Sequence, residues 1–168
     1  ASSDSAVEAL FRKAGIVRCT GREELTTVAS VFMHKPLNGR NIAIVTHAGG
    51  PAVMLTDALS AGGMNIPKLE TSDQEAILAM MNPGASAVNP IDMIATATVD
   101  QLDRVIEYAD KKLPYIDGMS VIFGNNGLTD MTEVYELLHT KINECSKPLY
   151  PILPSISSSF RELENFMN

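Results

Sequence analysis

The sequence predicts an α/β fold in which helices cover both faces of a doubly wound parallel sheet. Three apolar runs, at residues 42–45, 119–123 and 149–153, contain β-branched residues and are typical of strands buried on both faces. Helical patterns separate these runs along the chain. Strands that alternate with helices form right-handed parallel crossovers, which produce this class of sheet.

The helices are predicted from the spacing of apolar residues and from capping signatures. Ser72 with Glu75, and Thr98 with Gln101, predict capped helix starts. Two helices near the start of the chain are each expected to bury one face, with apolar stripes formed by Val7, Leu10, Phe11 and Ala14, and by Leu25, Val28, Ala29 and Phe32. We therefore expect residues 1–36 to be a helical lead-in that packs on a single domain formed by residues 37–168.

Composition and charge exclude several classes of protein. With 168 residues, 45% of them hydrophobic and 20% charged, the chain has the composition of an ordinary globular domain. A net charge of −7 argues against nucleic-acid binding, and no apolar run approaches the roughly 18 residues of a membrane span. Two widely separated cysteines, Cys19 and Cys145, and the absence of a secretory signal predict a cytoplasmic protein with reduced thiols.

Ligands of such sheets bind at the carboxyl ends of the strands. The loops of interest are therefore residues 46–51, 124–129 and 154–159. The stretch 83–92, which contains three turn-forming Pro and Gly residues, also needs an explanation. Asn125 and Asn126, in the second of these loops, fit either ligand contacts or a plain turn.

The first loop joins a strand directly to a helix, in the sequence IAIVTHAGGPAVMLTDAL of residues 42–59. Gly49 and Gly50 are expected to allow unusual backbone conformations and close approach of a ligand, and Pro51 to open a helix that runs from about Ala52. The amino end of a helix attracts anions. The motif is neither a P-loop nor a dinucleotide fingerprint, so it fits a structural turn or an anion cradle.

His47, beside these glycines, has three interpretations. It is a neutral side chain capped by hydrogen bonds, a further ligand for the anion, or a phosphorylated nucleophile. The last role requires a group that orients the other ring nitrogen, and the turn itself contains no obvious acid. The other histidines, His34 and His139, have no companion at metal-ligand spacing, so no metal site is predicted.

The segments RNIAIVTHAGGPAVMLTDAL and SAVNPIDM together resemble the small α/β domain of NDP-forming acyl-CoA synthetases, relatives of the succinyl-CoA synthetases. Members of that family read close to IVTNAGGPGVLAADAL and VGNPVDL at these places, and the opening segment SDSAVEALFRKAGIVRCTGREEL also resembles the lead-in to this domain, which follows the phosphohistidine domain. The resemblance implies a flavodoxin-like sheet that lacks its last strand and helix here.

The resemblance also implies an activity for the full-length protein. Such enzymes convert an acid, CoA and ATP into acyl-CoA, ADP and phosphate, reversibly, and they carry the phosphoryl group on a histidine. CoA, ATP or ADP and magnesium would belong to the full-length enzyme, and none is expected to bind this domain alone. The partners would be neighbouring CoA-binding, phosphohistidine and ATP-grasp domains or subunits.

Under this resemblance the present chain contributes a phosphate cradle and no catalytic residue. His47 is the second candidate for the phosphorylated histidine, after one in a neighbouring domain. The cradle would consist of His47, Ala48, Gly49, Gly50 and Ala52. The loop residues Asn89, Asp92, Asn125 and Asn126 would lie near the site or contact another domain.

His47 stands where the family commonly has Asn, which favours a hydrogen-bonding role over a covalent one. The chain alone is expected to have no turnover, as an excised piece of a larger ligase. The alternative is a non-catalytic regulatory region in a protein that resembles lysine acetyltransferases. A receiver-type domain is disfavoured because the strand ends lack an acidic cluster.

Overall fold

A computed structural model describes residues 3–124 and 131–153 of the chain. Its internal contacts divide the chain into two units, residues 1–34 and residues 35–168. Among the described residues, no helix combines the length and the apolar character needed to cross a membrane.

The first unit contains the two predicted helices, α1 (Asp4–Ala14) and α2 (Arg22–Val31). Helix α1 ends at Gly15, whose φ of 71° is the left-handed conformation that glycine adopts most readily. Neither helix contains a buried residue, so the expectation that each buries one face is wrong for this unit taken by itself. The packing of residues 1–36 on the rest of the chain stays a prediction.

The second unit contains a parallel four-stranded sheet in the order β2-β1-β3-β4. The strands are β1 (Ile42–Thr46), β2 (Ile91–Asp92), β3 (Gly118–Ile122) and β4 (Leu149–Ile152). This is the order of the first four strands of a flavodoxin-like sheet, in which the chain reverses direction across the sheet between β1 and β3. The predicted fold class is confirmed.

Four helices connect and cover the strands: α3 (Gly49–Ala61), α4 (Thr71–Leu78), α5 (Val99–Lys112) and α6 (Met131–Glu144). The predicted capping box of Thr98 and Gln101 is confirmed at the start of α5. The predicted cap at Ser72 is wrong, because α4 begins at Thr71 and its N-cap is Glu70, two residues before the predicted cap. The spacing of Phe160, Leu163 and Met167 also predicts a helix, but these residues lie outside the described part of the chain.

Side chains alternate between the two faces of the sheet and thereby form two hydrophobic clusters. Ile42, Ile44 and Ile122 pack with Ala52 of α3 on one face. The larger cluster, on the other face, contains Val45 and Phe123 together with the apolar stripes of α5 and α6. Because residue 46 continues the Ile42 and Ile44 series, its side chain lies on the same face as α3.

A buried carboxylate joins α5 to the segment that leads into β4. Asp110, 8% exposed, accepts hydrogen bonds from the backbone N–H groups of Ser146 and Lys147, at 3.1 and 2.9 Å, and from the Ser146 hydroxyl at 2.9 Å. The ammonium group of Lys147 in turn donates to the carbonyls of Ala109 and Leu113, both at 2.7 Å. These contacts fix the amino end of β4.

Candidate phosphate-binding site

The amino end of α3 lies immediately after β1, at the carboxyl edge of the sheet. The helix begins at Gly49 with Ala48 as its N-cap, so the predicted start near Ala52 is three residues too late. Pro51 is the third helical residue instead of the first. It is tolerated there because the N–H groups of the first turn have no partner within the helix.

The two glycines provide space and not an unusual backbone conformation. Neither Gly49 nor Gly50 has a positive φ, so that part of the sequence-based expectation is wrong. A Cβ atom on Gly49 would lie 3.1 Å from Oδ2 of Asp92, which is a tight contact. A Cβ atom on Gly50 would have no neighbour within 4 Å, so the surface of the helix is open at that residue.

The backbone amides of Gly49 and Gly50 have no hydrogen-bond acceptor among the described residues. The preceding amide, that of Ala48, donates to Oγ1 of the buried Thr46 at 3.0 Å. Thr46 therefore holds the turn in place, while the two glycine amides retain the partial positive charge of a helix amino end. Ala52 contributes an anchor: its side chain is 1% exposed and packs into the core beneath the helix.

Asp92 lies beside this amino end because β2 pairs with β1. Thr46 and Asp92 are partners in the parallel register, and their side chains share the face on which α3 lies. Oδ1 of Asp92 accepts a hydrogen bond from the N–H of Ile94 at 2.9 Å. The other carboxylate oxygen, Oδ2, is directed toward Gly49.

His47 is turned away from α3. Its ring, nine-tenths buried, stacks on Phe123 with 4.3 Å between the ring centroids, and Phe123 belongs to the core of the opposite face. Nδ1 lies 3.3 Å from the carbonyl oxygen of Ile122. Because a carbonyl oxygen can only accept, Nδ1 is the protonated nitrogen that donates this hydrogen bond. A backbone carbonyl, and not a carboxylate, therefore orients the ring, and Nε2 is the nitrogen left for other contacts.

Asn89 holds β2 against β1 through its side chain. It is 8% exposed, and its amide oxygen accepts from the N–H of Ile44 at 2.9 Å. Its amide nitrogen donates to the carbonyls of Ile42 and Pro67, at 3.0 and 2.9 Å. With these three hydrogen bonds the side chain takes the place of backbone pairing between the strands. This structural role accounts for an asparagine at position 89.

Asn125 and Asn126, also named from the sequence, lie outside the described residues. Of the predicted site residues that are described, the structure brings Ala48, Gly49, Gly50 and Asp92 together, and it separates Asn89 and the His47 ring from them. The position of Asp92 next to Gly49 is not evident from the sequence pattern, because it depends on the pairing of two strands.

The fold and the geometry at the amino end of α3 define a flavodoxin-like α/β domain with an open helix amino end at the carboxyl edge of its sheet. No family model matches the chain. It is 33% identical over 90 residues to the alpha subunit of an ADP-forming acetate–CoA ligase II from Pyrococcus furiosus, a match that covers 54% of this chain and 20% of that protein. It is 35% identical over 112 residues to an ADP-forming 4-hydroxybutyrate–CoA ligase from Nitrosopumilus maritimus, covering 63% of this chain and 16% of that protein.

A solved structure gives the same fold over nearly the whole chain. A dinucleotide-forming acetyl-coenzyme A synthetase 1 from Ca. Korarchaeum cryptofilum superposes with a TM-score of 0.85 at 23% identity, covering 98% of this chain and 36% of that one. The chain spans about a fifth or less of the length of the two curated relatives. These curated relatives are ADP-forming CoA ligases, and the chain matches one segment of each.

Proposed function

We propose that this chain is the segment of an ADP-forming acyl-CoA synthetase that holds a phosphoryl group at the amino end of α3. The parent protein would convert an acid, CoA and ATP into acyl-CoA, ADP and phosphate, with a phosphohistidine supplied by a neighbouring domain or subunit. The observation that carries this proposal is the pair of unpartnered amides at Gly49 and Gly50 in a chain homologous to such ligases. The Korarchaeum synthetase was solved in complex with phosphate and ADP, which supports the choice of ligand.

The amino end of α3 can act on a bound phosphoryl group only through electrostatic interactions and hydrogen bonds. Two N–H donors and the positive end of the helix dipole stabilise negative charge on phosphoryl oxygens without any side-chain charge. Thr46 fixes the turn before the helix, and Gly50 leaves the approach open. The segment would therefore position and stabilise the group while the bond-making histidine comes from elsewhere.

Among residues 3–124 and 131–153, no three or more His, Cys, Asp or Glu side chains are grouped so that they could hold a metal ion. We assign the metal, together with CoA and the nucleotide, to neighbouring domains or subunits. The regulatory alternative is not favoured, because the curated relatives are named as ligases.

Gly50→Val tests the cradle directly. A Cβ atom at this position has no neighbour within 4 Å, so the variant is expected to fold, and the valine methyl groups are expected to obstruct access to the donor amides. We expect its affinity for inorganic phosphate to fall by about fivefold, since helix-end interactions with anions contribute on the order of 1 kcal/mol. The measurement is a phosphate titration followed through the amide resonances of residues 49 and 50, with circular dichroism as a check of folding.

Gly21→Val is the matched control, because Gly21 is also next to the start of a helix and also has open space around it. It should leave phosphate binding unchanged. Equal affinity of the Gly50 variant and the original chain would remove the cradle from the proposal.

His47→Asn tests the runner-up nucleophile in the full-length enzyme. Asn retains a donor that can reach the Ile122 carbonyl, so phosphoenzyme formation is expected to stay within about threefold of the original level. Loss of the ring contact with Phe123 should cost about 1 kcal/mol of stability. Radiolabelled phosphate transfer measures the first effect, and complete loss of phosphoenzyme in a folded variant would identify His47 as the phosphorylated residue.

A further inference from the structure

The outer surface of α3 is almost free of charge. Among the 13 residues of this helix only Asp57 is charged, whereas α5, with 14 residues, carries seven charged side chains. A helix with a solvated outer face normally has charged or polar residues there, and a helix that is apolar on all sides is normally buried. The outer surface of α3 therefore has the composition of a contact surface.

Two large apolar side chains of α3 are unusually exposed. Val53 is 61% exposed and Met54 is 75% exposed, although the preceding Ala52 packs into the core. Among the described residues of the second unit, no other large hydrophobic side chain is more than 42% exposed. Met is enriched and charged residues are depleted in the buried core of protein interfaces. The Val53–Met54 patch, named after these two residues, has both properties.

The patch borders the amides of Gly49 and Gly50. Val53 and Met54 each follow one of these glycines by four residues, so each lies one turn further along the same face, about 6 Å along the helix axis. The Cα–Cβ bonds of a helix tilt toward its amino end, so both side chains lean toward the glycines. A body that reaches the two glycine amides from solvent therefore also contacts the patch.

The surroundings of the patch indicate what kind of partner covers it. Residues 41–67 contain a single charged side chain, Asp57, so charged side chains of a partner would lose hydration here without gaining a counter-ion. The partner surface is therefore apolar. The chain spans a fifth or less of its two curated relatives, so most of the proposed parent protein lies outside it. Of that protein, the body that must approach the glycine amides is the one that carries the phosphohistidine.

We propose that the Val53–Met54 patch is the docking surface for the domain or subunit that carries the phosphohistidine, which packs an apolar surface of its own on it. This inference rests on the proposed function, which brings a histidine-borne phosphoryl group to the amino end of α3. The contact also excludes water from that helix end. Exclusion of water strengthens the attraction between the amides and the phosphoryl oxygens.

The first test places the photoreactive residue p-benzoylphenylalanine at position 54 of the full-length enzyme. After irradiation, mass spectrometry should find the cross-link in the domain whose histidine accepts radiolabelled phosphate. Position 78 is the matched control, because Leu78 is an apolar helical residue that is also exposed, at 41%, while its neighbour Ile77 packs in the core of the opposite face. It should give no cross-link to that domain.

The second test is the double variant Val53→Gln with Met54→Gln. Glutamine adds no charge, so the affinity of the 168-residue chain for inorganic phosphate should stay within about twofold of the original value. In the full-length enzyme the two amide side chains would be buried in an apolar contact without partners, so phosphoenzyme formation should fall about tenfold. Leu78→Gln is the control and should change neither quantity, and circular dichroism checks the folding of each variant.

The outcomes separate this inference from the proposed function. A cross-link from position 54 to a second copy of this chain, or to a domain without the labelled histidine, would overturn the docking assignment. Phosphoenzyme formation that stays within about twofold in the double variant would also overturn it. In both cases the cradle stands if Gly50→Val shows its expected loss of phosphate affinity. If the unaltered full-length enzyme forms no phosphoenzyme, the proposed function and this inference both fall.

Discussion

Asn89→Ala is expected to lower the free energy of unfolding by about 3 kcal/mol. The substitution removes three hydrogen bonds and leaves the N–H of Ile44 and the carbonyl of Ile42 unpaired in a buried part of the sheet. Each unsatisfied buried group costs about 1–3 kcal/mol, and the Ala side chain restores none of them. Chemical denaturation at neutral pH measures the change.

The same variant should loosen β2, because two residues alone provide little strand pairing. Amide hydrogen exchange should therefore accelerate at Asp92 and Met93 more than in β3. Asn65→Ala is the control: Asn65 is exposed, and its side chain makes a single hydrogen bond, to Asn41, so its loss should cost less than about 1 kcal/mol. If Asn89→Ala also lowered the free energy of unfolding by less than about 1 kcal/mol, the structural role assigned to Asn89 would be contradicted.

Asp110→Ala is expected to cost about 3 kcal/mol at pH 7, and the cost should depend on pH. The variant loses all three hydrogen bonds to the Ser146–Lys147 segment and leaves two backbone amides unpaired. Burial by itself would raise the pKa of Asp110, but the amides of Lys147 and Ser146 and the Ser146 hydroxyl hold that pKa below its ordinary value of 3.8.

A carboxyl group whose pKa is lowered by folding stabilises the folded state when it is ionised. Its contribution is complete above the unfolded pKa near 4 and is lost as the pH falls through the lower, folded pKa. The difference in stability between Asp110→Ala and the original chain should therefore shrink as the pH is lowered from about 5 to about 2. Asp100→Ala is the control, because it removes an exposed partner of Arg104 and should show neither the large loss of stability nor its dependence on pH. If the difference for Asp110→Ala stays constant between about pH 5 and about pH 2, ionisation of Asp110 does not contribute to stability.

The sequence was sufficient to predict the elements that carry a long apolar pattern. Strands β1, β3 and β4 were predicted to within one residue because each coincides with an apolar run, and α5 was predicted from its capping box. The expectation that all three strands are buried throughout is wrong for β4, in which only Leu149 is buried, because β4 lies at the edge of the described sheet. Strand β2 was not predicted. Two residues contain no periodicity, and the strand depends on the side chain of Asn89, whose position is set by tertiary contacts.

The candidate site was predicted mainly in its backbone, and of its side chains Asp92 was named only through the family resemblance. The glycines indicated an open helix end, which the structure contains, although their conformation is ordinary and the helix starts earlier. His47 attracted most of the sequence-based reasoning, yet its ring contacts Phe123 on the face away from α3. Asp92 is the polar side chain beside Gly49; the resemblance placed it near the site, but its position next to Gly49 follows only from the register of β2 with β1.

The brevity of β2 has a consequence for association between copies of the chain. In the described sheet β2 is an edge strand, and long exposed edges are templates on which further strands add during aggregation. Here the edge consists of two residues, follows a proline that has no N–H to donate, and has both backbone groups of Asp92 already bonded to Ser86. The strand that carries Asp92 thus also protects this side of the sheet from the addition of further strands.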